Sequence, residues 1–160
     1  MKFKFILALF FTLNIFSAQD RIKLEGKVKD ELVKIYEVNE KLYDSFFDYN
    51  GKEVSKRALE LKDAIEKISD EKIKNLLKFS ADKLSTMTAD RTEELNQQDY
   101  NIVSMALIHV NSKYDFGKKY NAYSCPMVKK KWLQNTEKDS NVKNPYAAMM
   151  RGCGSKDSNF

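Results

Sequence analysis

The sequence predicts an all-α fold: an up-down four-helix bundle followed by an irregular C-terminal loop segment that carries cysteine and methionine. Three observations carry that expectation. Both prolines, Pro126 and Pro145, fall late in the chain. Gly51 is the one helix breaker between residues 27 and 112, and glycine and proline are the residues a helix interior tolerates least. Four stretches repeat apolar residues at the helical period of 3.6.

The first eighteen residues read as a secretory signal. Lys2 and Lys4 make a short positive start, Ile6 to Phe16 is an apolar run broken by Thr12 and Asn14, and Ser17-Ala18 supplies a cleavage site. The apolar run is short for a bilayer span, so the membrane is met only through a transient signal peptide. The expected location is the periplasm or outside the cell, after cleavage near Ala18.

The first helix places Val28, Leu32, Ile35, Leu42 and Phe46 on one face, with Tyr36 and Tyr43 beside it, and stops at the turn signal Asp48-Tyr-Asn-Gly51. Asn50 stands three residues before Glu53, a capping arrangement for a second helix. That helix repeats Val54, Ala58, Leu61, Ile65 and Ile68. Ser69-Asp70-Glu71 stops it and restarts the chain, with acidic residues at the positive end of the next helix dipole. The third helix carries Ile73, Leu76, Leu77, Ser80 and Leu84 and runs out near Met87. Asp90, three residues before Glu93, is the expected cap of a fourth helix. Its apolar positions are Leu95, Ile102, Val103, Ala106 and Val110, and it is expected to end near Gly117. Short turns between successive helices imply antiparallel neighbours. The expected organisation is therefore signal peptide 1–18, bundle 19–117, Cys/Met segment 118–154 packed on the bundle, and a frayed tail 155–160.

Composition excludes much. The chain has 160 residues, one histidine and two cysteines, and its formal charge of +5 falls to +3 once Lys2 and Lys4 are cleaved away. An exported chain with so mild a charge and no basic-aromatic groove pattern is not expected to bind nucleic acid. One histidine cannot furnish the two Glu-x-x-His pairs of a di-iron bundle. Cys-x-x-Cys-His and Cys-x-x-Cys are both absent, and so is a phosphate-cradling glycine loop. No enzyme is expected.

The remaining chemistry lies between Cys125 and Cys153. Cys125 is two residues before Met127, and Cys153 is four and three residues after Met149 and Met150. Two readings stand. A disulfide is permitted in an oxidising compartment and would stabilise the chain by about 3.6 kcal/mol in the chain-entropy model. Alternatively, thiolate and thioether together are soft donors that select Cu(I) or a similar ion, held by Cys125, Met127, Met149 or Met150, and Cys153. His109, one turn after Met105, is a further candidate ligand, against a boundary histidine that only makes a hydrogen bond. Trp132, beside Lys129-Lys130-Lys131, is a candidate partner contact together with Tyr146, against simple packing onto the bundle.

The pattern Cys125-Pro-Met127, Trp132, Asn144-Pro-Tyr146, Met150, Cys153-Gly154 resembles the signature of an uncharacterised, exported, all-helical family. That family recurs fused to heavy-metal efflux adaptor proteins of the copper/silver type. The resemblance implies association with heavy-metal efflux components and carries over Cys125, Met127, Met150 and Cys153 as site residues. The Cys-Pro-Met start also resembles the short metal-binding domain of such adaptors, but Val128 stands where that domain has histidine, and its second Cys-Pro-x-Cys pair is absent. The expected function is thus a periplasmic soft-metal binding or delivery protein. The alternative is a non-enzymatic helical interaction module stapled by a Cys125–Cys153 disulfide.

Overall fold

A computed structural model describes residues 20–160; the expected signal segment lies outside the described residues. Four helices form where the periodicity places them: α1 Gly26–Asp44, α2 Gly51–Glu66, α3 Glu71–Thr86 and α4 Glu93–Lys113. The all-α expectation is wrong, however, because five strands accompany them: β1 Ile22–Lys23, β2 Tyr114–Asp115, β3 Tyr120–Cys125, β4 Lys130–Asn135 and β5 Ser155–Lys156. The fold is mixed.

Local chemistry explains the helix starts. The Asn50 side chain accepts from Lys52 N and Glu53 N at 3.0 and 3.2 Å. That of Asp70 accepts from Ile73 N at 2.9 Å. Each satisfies donors that a helix N-terminus leaves unpaired. Thr92, not Asp90, caps α4, accepting from Leu95 N at 3.4 Å. Gly51 opens α2 against the α3–α4 turn, where a Cβ would lie 2.6 Å from the Ala89 carbonyl oxygen.

Leu32, Ile35, Leu42 and Phe46 of the first stretch and all five periodic residues of the second are buried, as are Ile73, Leu77, Ser80 and Leu84 of α3. Full burial of such side chains contributes on the order of 1.5–3 kcal/mol each. The fourth helix departs from its pattern. Leu95 is exposed and Ile102 half-buried, while Tyr100, Val103, Leu107 and Val110 face the core together with Asn96, Ser104 and Asn111. This helix is packed by α3 on one side and by β4 on another, so polar residues are enclosed, and the side-chain amide N–H groups of its asparagines find partners. Asn96 Nδ2 donates to Tyr49 Oη at 2.9 Å, and Asn111 Nδ2 donates to the Tyr120 carbonyl at 2.8 Å. Buried polar groups are tolerated where they are bonded in this way.

The sheets tie down both ends of the described chain. β1 pairs in parallel with β2, Ile22 opposite Tyr114, so the segment before α1 is fastened to the end of α4. β3 and β4 form an antiparallel hairpin with Cys125 opposite Lys130. Its four-residue loop, 126–129, holds Lys129 at φ 53°. β5 adds to the far side of β3, Tyr123 opposite Lys156. The tail expected to fray is instead held: Ser158 Oγ accepts from Ala122 N at 2.9 Å, Phe160 N donates to Asn121 Oδ1 at 2.7 Å, and Arg21 lies 4.3 Å above the Phe160 ring.

Candidate functional site: two loops joined by a bridge

The hairpin and the segment after it build the candidate site. Cys125 ends β3, buried at 1 % exposure. Cys153 ends a turn-rich loop that begins at Asn144. The two are joined by a disulfide, with Cα atoms 5.9 Å apart across 28 residues of sequence, a separation ordinary for a bridge. Of the two readings of this pair, the disulfide is the state present.

Asn144 organises the second loop. It is 1 % exposed. Its Oδ1 accepts from Tyr146 N at 2.9 Å, its Nδ2 donates to the Cys153 carbonyl at 3.0 Å, and its own N–H donates to the Arg151 carbonyl at 2.6 Å. One side chain thus closes the loop at both ends. Pro145 fits because the donor its ring removes is one the turn does not use. Arg151 fastens the loop to the end of α1 through the Phe47 carbonyl and Asp48 Oδ1.

Trp132 and Tyr146 are buried, at 0 % and 6 % exposure. As partner contacts they are misplaced: Trp132 stacks on Tyr123 at 5.8 Å and meets Tyr146 edge-on at 6.3 Å. Tyr146 Oη donates to the Lys131 carbonyl at 3.0 Å and lies 3.4 Å from Ser104 Oγ on α4. Burial raises the Tyr146 hydroxyl well above its ordinary range, with Tyr100 and Tyr43 adding to the rise. These rings seat the hairpin on the bundle, and their area and edge-to-face geometry suit that role. Lys130 Nζ lies 5.6 Å over the Tyr146 ring.

The methionines behave oppositely. Met127, Met149 and Met150 are 67, 96 and 43 % exposed. They stand among the few large apolar side chains left in water, and all three sit within four residues of a bridge sulfur. Met105 and His109 are exposed on α4. Among the described residues, no three His, Cys, Asp or Glu side chains cluster as a metal site. Exposed thioethers are therefore the soft donors that the bridged form retains.

A separate polar hub joins α1 to the hairpin. Glu40 accepts from Tyr120, Lys138 and Asn135, the last at 2.8 Å. Burial alone would raise its carboxyl, but the three donors hold it below its usual value. Nothing local in the sequence marks Glu40, because its partners lie 80 to 98 positions downstream. A groove of about 600 Å³ runs between α1 and α2, lined by acidic and basic side chains that include Glu31, Lys34, Arg57 and Asp63. It does not adjoin the bridge.

No family model, curated protein or solved structure matches this chain.

Proposed function

We propose that this is an exported, non-enzymatic binding protein whose two bridged loops offer thioether sulfur to a soft monovalent cation, Cu(I) or Ag(I). One observation carries the reading: Met127, Met149 and Met150 are exposed, each within four residues of a disulfide that joins their loops. Methionine is an apolar side chain that normally fills core gaps, so three in solvent around one bridge call for another role. Thioethers are soft ligands, and unlike thiolates they are not taken up by disulfide formation in an oxidising compartment. The resemblance of the Cys-Pro-Met and Asn-Pro-Tyr pattern to a family linked with copper/silver efflux supports the same reading, with efflux components as the partners that supply or accept the ion.

The bridged cysteines are not ligands in this form; they fix the loops. The test is an anaerobic titration of oxidised protein with Ag(I) and with Cu(I), alongside the triple variant Met127→Leu, Met149→Leu, Met150→Leu. Leucine conserves volume, so the fold should be unaffected. Stoichiometric binding lost in the triple variant is the expected result. Binding that survives all three substitutions, or its absence from the native chain, overturns the proposal. Absence would leave the exposed methionines as an adaptable apolar docking surface.

A further inference from the structure

We propose that the Cys125–Cys153 bridge is a thiol-exchange site, entered at Cys153 by an external dithiol, and that opening it leaves the Asn144 loop in place. The asymmetry between the two cysteines motivates the entry point. Cys125 is 1 % exposed at the end of a paired strand. Cys153 is only partly buried, and beside it Gly152 is exposed, with nothing within 4 Å of where a Cβ would stand. Exchange requires an attacking thiolate to reach one sulfur, so access decides which is struck.

The retention of the loop follows from what holds Cys153 apart from the bridge. Its N–H donates to the Met150 carbonyl at 2.8 Å, and its carbonyl accepts from Asn144 Nδ2 at 3.0 Å. Asn144 is in turn fixed by Tyr146 N and the Arg151 carbonyl. Gly154 is lodged against Trp132 and the Ser124 carbonyl. Cutting the sulfur bond removes none of these contacts.

The step balances. A thiolate of the dithiol attacks Cys153 Sγ, a new S–S bond forms to it, and the bond to Cys125 breaks. The electron pair leaves on Cys125 Sγ, which takes a proton from water. The second thiol of the reductant loses its proton and attacks its own partner sulfur in the mixed disulfide. Cys153 thiolate departs, the bridge has gained two electrons, and the dithiol is left as a cyclic disulfide. Two thiols then stand within four residues of the exposed methionines. This last consequence rests on the metal reading given above: reduction adds thiolate donors to a thioether surface and raises its hold on a soft ion.

Reduction by dithiothreitol tests the exchange without any metal. The expected rate rises linearly with reductant and shows no plateau. A plateau at the global unfolding rate overturns the proposal, because the bridge would then open only in unfolded chains. Brief treatment with glutathione, followed by denaturing alkylation and peptide mapping, should place glutathione on Cys153 and the alkyl group on Cys125; the reverse assignment overturns the entry point. The near-UV signal of Trp132 should survive reduction in the native chain and be lost on reduction of Asn144→Ala. Its loss in the reduced native chain overturns loop retention, as does its survival in the reduced variant. Asn144→Asp, which keeps the Oδ1 acceptor and loses the Nδ2 donor, serves if the alanine variant does not fold. A final Ag(I) titration compares the two redox states. Tighter binding after reduction is expected, and unchanged affinity overturns the gating. Binding in the reduced state alone would defeat the thioether reading while leaving the exchange site intact.

Discussion

Gly154 is the residue where the bridge, the hairpin and the lone tryptophan meet. Its φ is +142°, and a Cβ there would stand 2.7 Å from Trp132 and 2.8 Å from the Ser124 carbonyl. Neither neighbour can yield, since one is a fully buried ring and the other is backbone. Gly154→Ala should therefore cost about 2–4 kcal/mol, combining strain with overpacking, and a denaturant melt measures it. Asp99 is the second telling residue. It sits at the α3–α4 junction, 6 % exposed, accepting from Thr86 Oγ1 at 2.8 Å and from Arg91, with Lys83 Nζ at 3.4 Å. Burial works to raise its carboxyl, but Arg91, Thr86 and Lys83 together hold it below the ordinary value. A carboxylate with a lowered folded pKa stabilises fully above its unfolded value, near pH 3.9, and that stability is lost as pH falls through the lower folded value. Acid titration of the unfolding midpoint should show this loss below about pH 4 in the native chain and a smaller one in Asp99→Asn. At neutral pH the variant should be less stable by about 1–3 kcal/mol.

At the scale of elements, the hairpin joins the bundle through its rings rather than through an extended apolar face. Trp132 is enclosed by Tyr123, Tyr146 and Gly154. Trp132→Ala should cost about 3–5 kcal/mol, while far-UV circular dichroism retains the helical signal because α1 to α3 do not depend on that ring. The buried polar side chains of this region act as crosslinks. Gln134 donates to the Asp139 carbonyl at 3.0 Å and accepts from Lys143 N at 3.1 Å, standing in for a strand partner. Asn121 donates to Thr136 Oγ1 at 2.9 Å and accepts from Phe160 N. These same residues hid the strands from a sequence reading, since Asn and Gln at core positions break the alternation that marks a strand. The α4 stripe was obscured for the same reason: Asn96, Ser104 and Asn111 occupy its inner face.

At the scale of the whole molecule, the bridge crosslinks a chain in which both ends of the described residues are already tied down by β1 with β2 and by β5 with β3. The double variant Cys125→Ser, Cys153→Ser should lower the unfolding free energy by about 3.6 kcal/mol in the chain-entropy account, read as a shift in denaturant midpoint at constant slope. A much smaller shift would mean that the unfolded chain already keeps these segments close. The four helices, the cap at Asn50, the acidic start of the third helix at Asp70-Glu71, and the concentration of sulfur around Cys125 and Cys153 were all legible from the residues alone. Helical hydrogen bonds reach only four residues back and the 3.6 period is written into one stretch, so local sequence suffices. Tertiary structure alone decided the ordered tail, the burial of Trp132 and Tyr146, and the joining of the cysteines. Each of those needs a partner far away in the chain: Tyr123 opposite Lys156, Asn121 beneath Phe160, Tyr146 against Ser104. A strand such as β5, or a buried amide such as Asn121, is specified by what it meets, and that partner lies outside the stretch that forms it.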